Sequence, residues 1–338
     1  MTSYLLSWNH KLSPRAHIPI VLALSVFSMS TAAVPAYDNS SPGQIHGNGG
    51  ATFTKTTRLT INNVGEAQGI SKLGERYYLY GDQLQAGKHK GVIIELNKDL
   101  KPTGRSIELS SKDKIKVHHP TGLTWHKKWG AVIGDTVNGT GTIYRFNWER
   151  ALKQGNLKNC ILKRVRDDLA INGTRPVFLE HRGKTFLATA DYGDSSPELR
   201  LYDPAVLLNS DRTSQKGVLK HRIPCGPYNQ NLHYDIKTHE LTFIQNLTPG
   251  KGWRLDRIDL NKLFELDQKN LARETVATSK ASIAKFRISM LTIKPGDEPA
   301  GVELEGFLPY KKNGGIFVTS SASNNLVVIP DLDIFNSR

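Results

Sequence analysis

The chain has 338 residues, with 45 Lys and Arg against 31 Asp and Glu, a formal net charge of +14, and two cysteines. A hydrophobic content of 38% and a mean hydropathy of −0.39 exclude a polytopic membrane protein, and 29 glycines with five tryptophans argue against a disordered chain. Two cysteines cannot make a disulfide scaffold or a four-cysteine zinc module, and neither a Walker loop nor a GxGxxG fingerprint between strand and helix is present, which argues against nucleotide-binding α/β enzymes.

In chain order, Lys11 and Arg15 precede an apolar run from Ile18 to Phe27 and a small-residue stretch ending Val34-Pro35-Ala36. This predicts a secretory signal peptide over residues 1–36, because the apolar run falls short of the roughly 20 residues that span a bilayer. Cleavage after Ala36 removes two basic residues and no acid, leaving +12 on a protein expected to be secreted or periplasmic. Residues 37–56, rich in Ser, Gly and Asn, predict a flexible lead-in. A strand follows at Arg58 to Ile61, and residues 57–335 then read as one domain.

That domain carries a five-fold repeat. A strand closing on Asn or Asp recurs at Asn97, Asn147, Asp203, Asp259 and Asp331, at spacings of 50, 56, 56 and 72. After Asn147, Asp203 and Asp259, the segments Trp148 to Leu152, Pro204 to Leu208 and Leu260 to Phe264 predict single helical turns capped by the polar residue. An approach segment marked by Gly, Pro or Asn opens each repeat: Gln68-Gly69-Ile70, Pro120 to Leu123, Thr174 to Val177, Asn229 to Leu232 and Glu305-Gly306-Phe307. Second strands follow at Tyr77 to Tyr80, Ala131 to Ile133, Thr185 to Ala188, Leu241 to Ile244 and Ile316 to Thr319, and outer strands at Ser106 to Leu109 and Leu157 to Leu162. Four strands in about 55 residues is the period of a propeller blade. The fourth repeat is longer by roughly 20 residues between Leu266 and Pro299, which predicts an insertion. The last repeat lacks an outer strand and the first strand lacks a repeat, so the amino-terminal strand is expected to complete the final blade and close the ring. The fold class is all-β, a five-bladed β-propeller, with six blades as the alternative.

This pattern resembles the secreted β-propeller proteins in general, over nearly the whole chain after residue 36. The acidic approach segments are similar to those of calcium-dependent lactonase and esterase propellers, although those usually have six blades; that resemblance implies Ca²⁺ in the central channel.

In such a fold the approach segments and the second-to-third-strand hairpins meet at one channel mouth. They bring Glu66 and Gln68, His118 and His119, Arg175, Asn229, Gln230 and His233, and Glu303 and Glu305, with Asp82, Asp135, Asp191, Asp194, Asn246, Asn324 and Asn325 from the hairpins. Of the adjacent histidines only one can face the channel, and His119 is favoured, as a general base. Glu305 is its catalytic partner, and Gln68, Arg175, Asn229, Gln230, His233 and Glu303 are candidate ligand contacts. Glu66 and Glu305 are candidate metal ligands: carboxylate and amide oxygens suit Ca²⁺, whereas imidazoles with one carboxylate suit Zn²⁺. The aspartates after Gly81, Gly134 and Gly193 read first as tight-turn residues, and Arg175 has a structural alternative in Asp167 or Asp168. Glu66 with Glu303 or Glu305, from the first and last repeats, could form the facing pair that glycoside hydrolysis requires. No GxSxG elbow supports a serine hydrolase. Trp125, Trp129, Trp148 and Trp253 read mainly as packing between blades, with Trp129 or Trp253 able to stack on a sugar if exposed. The basic runs Lys112-Lys114-Lys116 and Lys158-Lys163-Arg164-Arg166 suggest an anionic envelope or membrane surface as partner, and nucleic acid is not expected. An exported monomer that binds a glycan or another small molecule is the leading expectation, a metal-assisted lactonase, esterase or glycosidase the alternative. An oxidising compartment would permit a Cys160–Cys225 disulfide, with two free thiols as the other outcome.

Overall fold

Segments such as Val92-Ile93-Ile94 and Ala131-Val132-Ile133 are apolar without alternation, a pattern that suits strands covered on both faces. In the computed structural model, which describes residues 57–330 apart from 86, 112–113, 248–251, 266–276, 279–282, 294–300 and 312–313, both segments are buried in the middle of sheets. The signal and lead-in expectations concern residues outside the described ones.

The described strands form five antiparallel blades. Blade 1 runs Glu66–Leu73, Arg76–Gln85, Lys88–Leu96, Pro102–Glu108 from axis to rim. Blade 2 is Pro120–His126, Gly130–Val137, Thr140–Phe146, Ile161–Asp167, and blade 3 is Val177–His181, Lys184–Ala190, Glu198–Tyr202, Leu219–Pro224. Blade 4 is Asn229–Asp235, Glu240–Asn246, Trp253–Asp259, Arg287–Ile293. Blade 5 takes Leu304–Tyr310, Gly314–Thr319 and Leu326–Ile329 from the end of the chain and its outer strand, Thr57–Leu59, from the beginning. The protein is a five-bladed β-propeller closed by its first described strand, with Arg58 opposite Val327. Asn325 fastens the closure: its Oδ1 accepts from the Ile61 N–H and its Nδ2 donates to the Ile61 carbonyl, both at 3.0 Å.

The apolar core is divided accordingly into wedges between neighbouring blades. Tyr78, Ile93 and Ile107 meet Ile133, Phe146 and Trp148 between blades 1 and 2, and Trp253 and Leu255 meet Phe307 and Phe317 between blades 4 and 5. Ile70 and Ile94 meet Leu308 and Ile316 across the closure. Each wedge needs both blades, so the ring coheres only when closed.

The three expected helical turns are present at Trp148–Gln154, Pro204–Leu207 and Leu260–Glu265. Asn147 Oδ1 accepts from Arg150 N at 3.0 Å, and Asp203 and Asp259 accept from Ala205 N and Asn261 N at 2.9 Å.

Several expectations need correction. Leu157 to Leu162 is not the outer strand of blade 2: side chain–backbone bonds around Gln154, Asn156 and Lys158 hold a turn there, and the strand starts at Ile161. Part of the long fourth repeat is regular structure, since Arg287–Ile293 is the outer strand of blade 4, while Ala277–Thr278 adds a parallel pairing to the rim of blade 3. Cys160 and Cys225 are free and buried. Asp82 and Asp135 are not turn residues but lie inside the second strands of blades 1 and 2, buried.

Candidate functional site at the channel mouth

Two recurring backbone devices aim side chains at the axis. The first is a bulge near the start of the innermost strand: pairing registers shift across Ala67/Gly69, Thr121/Leu123, Asn229/Asn231 and Leu304/Gly306. The extra residue in each is Gln68, Gly122, Gln230 and Glu305, so a bulge re-aims an amide or carboxylate side chain in three blades. The second is the residue opposite the position two before that bulge. Glu66 faces Asp82 and Pro120 faces Asp135, while Asn246 N bonds Tyr228 O and Ser320 N bonds Glu303 O. One structural position is therefore occupied in turn by Asp82, Asp135, Asn246 and Ser320.

The crowding near the axis explains the glycines. A Cβ on Gly69 would fall 2.2 Å from the Tyr80 hydroxyl and 2.4 Å from Asn231 Nδ2, two groups that bond each other at 2.5 Å. Asn231 also lies 3.3 Å from the Glu305 carbonyl, so this blade 4 amide ties blades 1 and 5 together.

Around this tie sits a group of ionisable side chains. Gln230 Nε2 donates to Glu303 Oε2 at 2.5 Å and lies 3.3 Å from Glu305 Oε1. Glu303 is approached further by the Tyr192 hydroxyl and by Asn246 Nδ2, each at 3.5 Å, and its N–H donates to Ser320 Oγ at 2.9 Å. Glu305 is 3% exposed. Burial holds its carboxyl well above the ordinary range, Glu303, Glu66 and Asp82 raise it further, and Arg175 opposes them. Glu303 is also raised, by burial, with the Gln230 and Tyr192 hydrogen bonds opposing and Glu66 adding. Glu66 is exposed as a residue, yet desolvation of its carboxyl and the charge of Asp82 raise it, against His119 and His89.

Arg175 lies beneath this group. Its guanidinium is buried, 5.3 Å over the Tyr192 ring and 3.2 Å from the Asn172 carbonyl, and desolvation pushes its pKa down to about 10 despite Glu305 and Asp191. The expected pairing with Asp167 or Asp168 is replaced: Asp167 accepts from Tyr202 and Thr213, and Asp168 from Ser214. Buried Asp82 receives two imidazoles, His119 Nδ1 at 2.9 Å and His89 Nδ1 at 2.8 Å. The His118 and His119 N–H groups both donate to Asp135 Oδ1, at 3.0 and 2.9 Å, which fixes the dipeptide so that His119 turns to Asp82 and the mouth.

Of the expected site residues, Glu66, His119, Arg175, Gln230, Glu303 and Glu305 come together, and Gln68 lies buried on the neighbouring bulge. Two do not join them. Asn229 spends its amide on the Asp191 and Gly226 carbonyls, tying blade 3 to blade 4. His233 stands three residues farther along its strand than Gln230, in a separate cavity of about 310 Å³ with Trp125, His126 and Tyr234, where burial pushes its pKa down to about 4. Tyr192, Asn231 and His89 belong with the site and were missed: Tyr192 and His89 stand outside the recurring approach segments, and Asn231, inside one, is the residue just after the bulge. Among the described residues no three His, Cys, Asp or Glu side chains are arranged to hold a metal ion, and the mouth carboxylates are engaged by amide and tyrosine donors instead.

No protein-family model and no curated protein matches the chain. Among solved structures it is similar to the native arabinanase of Bacillus subtilis, at 13% identity over 82% of this chain and 96% of that one, with a TM-score of 0.39. It is also similar to a GH43 endo-arabinanase from Bacillus licheniformis, at 12% identity over 80% and 94% of the two chains, TM-score 0.38. An engineered GH43 glycoside hydrolase with endo-xylanase and exo-arabinofuranosidase activity is similar at 10% identity and a TM-score of 0.43, over 81% of this chain but 51% of that one. Against Kuenenia stuttgartiensis hydrazine synthase the values are 11% and 0.35, with 79% of this chain and 66% of the other covered. None of these likenesses assigns a chemistry, which has to be read from the side chains at the mouth.

Proposed function

We propose that the protein is an acid–base hydrolase that cleaves a polyhydroxylated, glycan-type substrate at the channel mouth. The observation that supports this best is the perturbation of Glu66, Glu303 and Glu305, with Asp82, Arg175 and His119 beside them, at one end of the propeller. Groups that merely bind water have no need of three carboxyls held above their ordinary range, whereas proton transfer near neutral pH does.

Glu303 and Glu305 share Gln230 and repel each other's charge, so the pair holds a proton to higher pH than an isolated carboxyl does. In the proposed reaction the pair gives that proton to the leaving oxygen as its bond to carbon breaks. Glu66, the solvent-facing carboxylate, takes a proton from the water whose oxygen bonds to that carbon. Arg175 limits the negative charge left on the pair, and His119, oriented by Asp82, is a second acceptor at the rim. No step is routed through a metal ion. A module that binds glycan without cleaving it would be favoured by exposed tryptophans at the mouth, but Trp148 and Trp253 are buried and Trp125 and Trp129 line cavities with His126 elsewhere. The basic, apolar and small-residue pattern of residues 1–36 supports export, which would bring such a site to extracellular or envelope polymers.

The test is reducing-end release from a panel of neutral and acidic polysaccharides. Glu303→Gln, Glu305→Gln and Glu66→Gln should each lower kcat by about 10²–10⁴-fold, the usual worth of a positioned acid or base, with unchanged melting profiles at low pH. No turnover of any polymer or aryl glycoside by the wild type, with glycan binding retained, would leave the binding module in its place.

A further inference from the structure

The two basic runs of the sequence, about 50 residues apart, are brought to one place. Lys116 from the first and Arg164 from the second line a cleft of about 740 Å³ beside blade 2. Its floor is the strand Thr140–Phe146, on which Thr140, Thr142 and Tyr144 alternate toward the cleft, with Arg164 paired opposite Tyr144. Asn159 and His118 complete the polar lining, and exposed Lys114 and Lys158 stand on the adjoining segments. Among the described residues neither Lys116 nor Arg164 has a carboxylate partner, whereas Lys163 pairs with Asp211 at 2.9 Å. The one acid in the lining, Asp135, is buried, and its Oδ1 already accepts the His118 and His119 N–H groups.

Two cations without counter-ions among the described residues, hydroxyl groups alternating along a strand with the Asn159 amide nearby, and a volume far larger than a single inorganic anion match a sugar chain carrying acidic groups. The cleft adjoins the mouth. His118 lines it, the next residue, His119, contacts Asp82 in the mouth, and both are pinned by the same Asp135 oxygen. We propose that this cleft is a subsite for the anionic groups of an acidic polysaccharide whose chain runs on into the channel mouth. The continuation into the mouth rests on the hydrolase reading; the anion subsite does not.

The experiment measures binding of the full chain to three probes by affinity electrophoresis and calorimetry at low salt: polygalacturonate, dextran sulfate and neutral arabinan. Lys116→Gln/Arg164→Gln is compared with Lys98→Gln/Lys101→Gln, which removes the same charge from exposed positions in blade 1, and melting curves verify that both fold. The cleft variant should bind the acidic polymers at least 10-fold more weakly and the control should match the wild type. Preference for polygalacturonate over dextran sulfate would identify the anion as a sugar carboxylate, and the reverse a sulfate ester. Equal losses in both variants would reduce the effect to net charge and overturn the proposal, as would equal affinity for arabinan or an absence of acidic-polymer binding. Glu305→Gln separates the two readings. Turnover lost with acidic-chain binding retained supports both, and binding without turnover in the wild type removes the hydrolase reading while the subsite stands.

Discussion

Replacing Glu305 by Gln should stabilise the protein above acidic pH, an outcome that separates a carboxyl kept for chemistry from one kept for structure. Glu305 is buried and its pKa lies well above the ordinary 4.5. Below pH 4.5 folded and unfolded chains both hold the proton, so the group contributes no pH dependence. As pH rises past 4.5 the unfolded chain releases it first, the folded chain still binds it, and stability falls until the folded-state pKa is passed. Each unit of elevation is worth about 1.4 kcal/mol of lost stability, or roughly 3 °C in a domain of this size. The neutral isostere removes this dependence while keeping a side chain that can bond Gln230. In paired melts of wild type and Glu305→Gln, the two should therefore coincide near pH 4, and the variant should melt higher at pH 8, by roughly 3 °C for each unit of elevation, even though its turnover is lost. Were Glu305 instead ionised and paired with Arg175, its removal would strand a buried guanidinium at a cost of about 3–5 kcal/mol. A variant that melts lower than wild type at pH 7, by an amount independent of pH, would refute the reasoning.

The ring closure makes its own prediction: Asn325→Ala leaves the N–H and carbonyl of Ile61 without partners at a buried position, and at about 1–3 kcal/mol for each stranded group it should lower the melting temperature by several degrees. Chemical denaturation compared with wild type checks this, and an unchanged midpoint would show that water replaces the amide. Burial raises the thiol pKa of both Cys160 and Cys225, so neither should react with Ellman's reagent in the folded protein at pH 8, and two thiols should appear after unfolding without reductant. A titre of zero in the unfolded protein would indicate a disulfide instead.

The architecture was legible in the sequence because each blade closes on the same capped strand, and the capping chemistry at Asn147, Asp203 and Asp259 is local enough to survive without homologues. The closure by residues 57–59 was legible for a different reason, since a missing outer strand at one end and a spare strand at the other leave a single consistent pairing. The site was legible only by position in the repeat. Reading the approach segments as a set found Glu66, Gln230, Glu303 and Glu305, but it also swept in His233 and Asn229, because strand alternation is interrupted by a bulge that composition does not reveal. The bulge turns Gln230, its extra residue, toward Glu303 while Asn229 turns back to the Asp191 carbonyl and Asn231 reaches across to Tyr80. Gly-Asp dipeptides misled for a related reason: in Gly81-Asp82 and Gly134-Asp135 glycine is present because a Cβ would lie 2.3 and 2.2 Å from a neighbouring carbonyl oxygen, not because the chain turns.

The same repetition explains how one scaffold can hold a dense set of acids. Four of the five blades present a bulge residue and a second-strand partner near the axis, and the two positions vary independently of the wedges that hold the ring together. Blade 2 uses its pair for structure, with Gly122 at the bulge and Asp135 pinning the two histidines. Blade 1 combines an amide at the bulge with Asp82, and blades 4 and 5 place Gln230 and Glu305 side by side. Since none of these side chains packs in an apolar wedge, their charge was not selected by the core. Three raised carboxyls facing one buried arginine are costly to keep in a folded protein, and the wedges between blades contribute enough stability to tolerate them. If the mouth served only to close the channel, Gln at all three positions would do so at lower free energy. The presence of carboxyls at Glu66, Glu303 and Glu305 is therefore the physical argument for the proposed proton transfer.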